Sequence, residues 1–84
     1  MKKMSDIVEM RSRNASIRKT IVRLLPNVTE LVQGEVDECA KRQPSTASND
    51  TPEGLTDIFE NLRARALILV RSGVAKREDF PEID

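Results

Sequence analysis

Apolar residues recur at helical spacing in three stretches of this chain. In the clearest, Leu55, Phe59, Leu62, Ala66 and Leu69 alternate in steps of four and three, which aligns them on one side of an α-helix. Ile58 and Val70 widen that stripe. Both ends are marked. Thr51 is of N-cap type, Pro52 suits the first helical position, and Glu53 sets a negative charge at the positive end of the helix dipole. At the other end Arg71 lies in the last turn, Gly73 can turn left-handed just beyond it, and Val74 can fold back on Leu69. The pattern predicts a helix over 53–72, about 30 Å long.

The C-terminal half of that helix is apolar all the way round. In Ala66-Leu67-Ile68-Leu69-Val70, the residues Leu67 and Ile68 fall outside the stripe, and a helix with one wet face has no use for them. They predict a cover, supplied by this chain or by another.

A first helix is predicted over 5–25, capped by Ser5 or Asp6. Ile7, Met10, Asn14, Ile17, Ile21 and Leu24 form its seam, with Asn14 as the one polar position. Asn14 either finds a partner for its amide or lies at the wet edge of the seam, and the second is the simpler reading. Met4, Val8, Ala15 and Val22 make a weaker second stripe, with Arg11 and Arg18 between the two. Pro26 interrupts, as a turn or as a kink. Asn27 with Glu30 then resembles a capping box for a second helix over 28–42, whose face is Val28, Leu31, Val32, Val36, Cys39 and Ala40. Gly34 in its middle costs about 1 kcal/mol against Ala, or lets a neighbour come close. Residues 43–51 read as a polar, mobile loop, long enough to make the last two helices antiparallel. Phe80 and Ile83 sit among acids in a segment 75–84 that reads as an acidic tail, frayed or used as a docking motif.

With 84 residues and two aromatic ones, the chain makes one small domain with a thin core. The fold class predicted is therefore all-α: a three-helix domain over 1–74, completed by dimerisation or by a partner. Net charge is zero but segregated. Residues 1–25 hold seven bases against two acids, residues 26–60 eight acids against two bases, residues 61–77 five bases and no acid. Such segregation can guide pairing between segments or between chains. One cysteine allows no disulfide within the chain and fits a reducing, cytoplasmic compartment. No stretch has the roughly 18–20 apolar residues that cross a bilayer.

The chemistry on offer is sparse. Without histidine no Ser–His or Cys–His nucleophile pair can be built, and one cysteine does not make a usual zinc site. The glycines are scattered and form no phosphate loop. No catalytic residue, cofactor or metal is expected, and the chain reads as a non-enzyme. The function this leaves is regulation by protein–protein contact, in the manner of an antagonist, antitoxin, antiactivator or adaptor. Leu67, Ile68 and Val70 are the candidate interface, Arg63 and Arg71 its charged rim. Arg11 and Arg18 are candidates to engage acids on a neighbouring helix or partner. The alternative is a nucleic-acid-binding regulator using the basic first helix. Against it stand the scatter of those bases around the helix and the acids Glu30, Glu35, Asp37 and Glu38 on the helix that follows.

Overall fold

A computed structural model describes residues 4–45 and 47–83. It has three helices, α1 (Met4–Leu24), α2 (Glu30–Lys41) and α3 (Pro52–Arg71), and the described residues contain no strand. The all-α, three-helix class read from periodicity is the class observed, with α2 and α3 antiparallel.

α3 occupies the middle. α1 and α2 each pack on α3 in preference to each other. The chain measures 42 × 27 × 17 Å. The helices form a layer centred on α3, and the core is a strip along that helix. Ile58, Leu62, Ala66 and Leu69 of α3 meet Ile17 and Ile21 of α1 and Val36 of α2.

α3 begins and ends as its sequence predicts. The Thr51 hydroxyl accepts from the Gly54 N–H at 3.0 Å, and Pro52 opens the helix. Gly73 has φ 85°, and the Gly73 and Val74 N–H groups close on the carbonyls of Val70 and Leu69 at 3.1 Å each. Both bonds satisfy carbonyls that the helix end leaves free, in the Schellman arrangement. Pro26 makes a corner. A 3₁₀ turn, Leu25–Asn27, separates α1 from α2. That turn consumes Asn27, so the cap of α2 moves to Thr29, whose side chain accepts from the Val32 N–H. α1 starts at Met4, earlier than the predicted cap at Ser5 or Asp6. Its cap lies outside the described residues.

Three expectations change. Asn14 is buried and donates from Nδ2 to the Leu55 carbonyl at 3.1 Å, so it ties α1 to the start of α3 and does not sit at a wet edge. Leu31 does not join the inner face of α2 but is 77% exposed. Val8, Ala15 and Val22, the weaker stripe of α1, all face outward. Met4 of that stripe is set aside, since its side chain lies outside the described residues.

The segment after α3 is part of the core. Two 3₁₀ turns, Arg77–Asp79 and Pro81–Ile83, bring Ala75, Phe80 and Ile83 into it, and Phe80 is 0% exposed. The Asp79 carboxylate accepts from the Lys76 N–H and fixes the first turn. Ser16 of α1 donates to the Glu82 carboxylate. The acidic segment therefore docks within its own chain, beside the basic first helix.

The loop before α3 is held at its C-terminal end. Arg11 donates to the Asn49 carbonyl at 2.7 Å and pairs with Asp50 at 2.8 Å. At Gly54 the loop backbone comes so near that a Cβ would lie 2.3 Å from the Ser48 nitrogen and oxygen. Only glycine fits there.

Candidate interaction groove

The layer leaves a groove between α2 and α3. Its α2 wall is Leu31, Gly34, Glu35, Glu38, Cys39 and Arg42, and its α3 wall is Ala64, Leu67, Ile68 and Arg71. Each wall advances by three and four residues, so each is one face of its helix. The groove is open and encloses ≈ 780 Å³.

Sequence and packing explain why it stays open. The inner stripe of α2 reduces to Val32, Val36, Cys39 and Ala40, of which only Val36 is fully buried. The two helices are stitched at one end, where Asn61 Nδ2 donates to the Cys39 carbonyl at 2.8 Å and the Cys39 thiol lies 3.9 Å from the Asn61 carbonyl. Beyond that stitch, Leu67 and Ile68 reach the core with part of their surface and line the groove with the rest. Leu31 stands over them from α2.

Of the residues singled out from sequence, Leu67, Ile68 and Arg71 come together here. Val70 turns to the core and is half-buried against it. Arg63 is exposed and does not line the groove. Arg11 binds the connecting loop. Arg18 has a cation for a neighbour: burial pulls the Arg65 guanidinium below its ordinary pKa, the Arg18 charge pulls it further, and Cys39 opposes both. Leu31 and Ala64 escaped the sequence reading as groove residues. Leu31 was placed on the wrong face, and small residues leave no trace in a hydrophobic pattern. Gly34 carried a signal, as a helix-breaking residue in mid-helix.

The groove's ionisable residues are two glutamates, two arginines and the free Cys39. Among the described residues no three His, Cys, Asp or Glu side chains gather to hold a metal, and no helix is long and apolar enough to cross a membrane.

The chain matches no protein-family model, no curated protein and no solved structure.

Large exposed aliphatic side chains are Val8, Val22 and Leu31. Val8 and Val22 stand well apart along α1. Leu31 adjoins the apolar surface of Leu67 and Ile68, and contiguous exposed apolar surface marks a contact site more reliably than single residues do.

Proposed function

We propose that this chain is a small non-catalytic regulatory protein that works by protein–protein contact through the α2/α3 groove. It belongs with antagonists, antitoxins, antiactivators and adaptors in mode of action, and its lone free cysteine suits the reducing cytoplasm. The observation that carries the proposal is Leu31, 77% exposed, standing beside the half-buried Leu67 and Ile68. A short helix that turns a leucine outward over an unfilled groove gains nothing from it as a monomer. Transferring a leucine side chain from water to an apolar contact is worth roughly 1.5–3 kcal/mol, which a partner recovers. Leu67, Ile68 and Arg71 supply the rest of that surface. Arg63 lies outside it, and Val70 supports it from beneath.

The nucleic-acid reading has less to draw on. Of the arginines on α1, Arg11 is engaged with Asp50 and Arg13 lies over the Phe59 ring at 3.7 Å. Arg18, Lys19 and Arg23 remain exposed.

The test is a photo-cross-linking residue in place of Leu31, compared with the same residue in place of Lys19 on α1, in growing cells of the native host. The proposal expects a protein adduct from position 31 that disappears when Leu67→Glu is added, and none from position 19. Equal labelling at both positions, or nucleic acid captured from position 19 alone, removes it.

A further inference from the structure

The charges in the groove come in opposite kinds that the chain does not join. Glu35 and Glu38 stand on the α2 wall, Arg71 on the α3 wall, and Arg42 at the far end of α2. Among the described residues no ion pair joins α2 to α3; Glu38 pairs weakly with Lys41 on its own helix, at 3.8 Å. Gly34 is a second anomaly. A Cβ placed on it meets nothing within 4 Å. A helix-interior glycine is costly, and here no contact within the chain requires it. With Ala64 on the opposite wall, it forms a low point where another backbone can come close.

We propose that a second copy of this chain closes the groove, related by a two-fold axis that runs along it, so that α2 of each copy lies across α3 of the other. This rests on the reading of the groove as a contact surface and names its occupant. The charge of the lining selects the occupant. The lining is balanced, two acids against two bases, so it offers no net field to a strongly acidic or basic partner, whereas it is complementary to itself. The other face-to-face arrangement is disfavoured by charge. With the axis across the groove, α2 meets α2 of the second copy, and Glu35 is set against Glu38. With the axis along the groove, Glu35 comes within reach of Arg71 of the second copy, and Leu31 lands on the Leu67/Ile68 surface. The result is a two-layer assembly in which each thin layer completes the other, as an isologous interface requires.

Charge reversal tests occupant and orientation together. Glu35 and Arg71 are both exposed, so Glu35→Arg and Arg71→Glu leave the monomer fold intact, which circular dichroism checks. In light scattering across a concentration series, the wild type is a dimer. Each single variant dissociates at about tenfold higher concentration or more. An equimolar mixture of the two variants, or both changes in one chain, restores the dimer. A wild type that stays monomeric into the millimolar range overturns the proposal. So does a Glu35→Arg variant that dimerises more tightly, since that is the result expected with the axis across the groove. The two readings fail separately: a monomer that still cross-links from position 31 to a different protein loses the second copy and keeps the groove, and a monomer that does neither loses both.

Discussion

Replacing Phe80 by alanine asks whether the acidic segment after α3 is part of the fold. Phe80 is the largest of the fully buried side chains. A buried phenylalanine removes about 150–250 Å² from water, which at roughly 25 cal/mol per Å² is about 4–6 kcal/mol. That is an upper bound, because the denatured chain already hides some of this surface. Truncation to alanine keeps one carbon and leaves a cavity that the thin layer closes in part, so the expected loss is about 3–4 kcal/mol. A domain of this size has roughly 4–12 kcal/mol in total. The assay is urea denaturation followed by circular dichroism. With a small domain's slope of about 1–1.5 kcal/mol per molar urea, the midpoint falls by about 2–4 M, or the variant is unfolded in water. Phe80→Leu keeps most of the volume and is expected to lose less than about 1.5 kcal/mol, which reads the effect in a folded protein. A Phe80→Ala midpoint within about 0.5 M of the wild type would refute the reasoning and leave the segment peripheral.

Three further substitutions test contacts elsewhere. Gly54→Ala drives a methyl into the Ser48 backbone, and thermal melts are expected to show a loss of about 1–3 kcal/mol despite the better helix propensity of alanine. Asn14→Asp replaces a donor to the Leu55 carbonyl by a buried carboxylate facing it. The loss at neutral pH is about 3 kcal/mol and shrinks as pH falls, because burial raises the carboxyl pKa and stability recovers when the group protonates; a pH-independent loss would contradict the assigned contact. Arg11→Ala breaks an ion pair whose side chains are 48% and 84% exposed, and chemical denaturation is expected to register no more than about 0.5–1 kcal/mol.

How much of this was legible in the sequence depended on the kind of signal. The long amphipathic α3, with Thr51, Pro52 and Gly73 at its ends, could be read almost to the residue, since periodicity and caps act locally and agree. The tail could not. Phe80 and Ile83 enter the core from 3₁₀ turns, which show no hydrophobic period, and acidic neighbours hid them. The period of α2 is plain but its inner face is not, because Leu31 and Val32 are adjacent and only one of them can point inward. Asn27 and Thr29 are both of cap type, and the turn forced by Pro26 decides between them. Asn14 was ambiguous for a different reason: a polar residue in a seam is stable there only if a partner waits, and that partner, the Leu55 carbonyl, lies on another helix. The groove was half legible. Leu67 and Ile68 announced a need for cover, whereas the opposite wall depended on the rotation of α2.

The most direct test of the central claim is sedimentation of Gly34→Arg. A side chain at that position meets open space within the chain, so the helices should form as before, and a long cation fills the floor of the groove. The wild type is expected to sediment at twice the 9.5 kDa chain mass, and Gly34→Arg, with an unchanged circular dichroism spectrum, at the chain mass. A Gly34→Arg protein that sediments as the wild type does would contradict the claim.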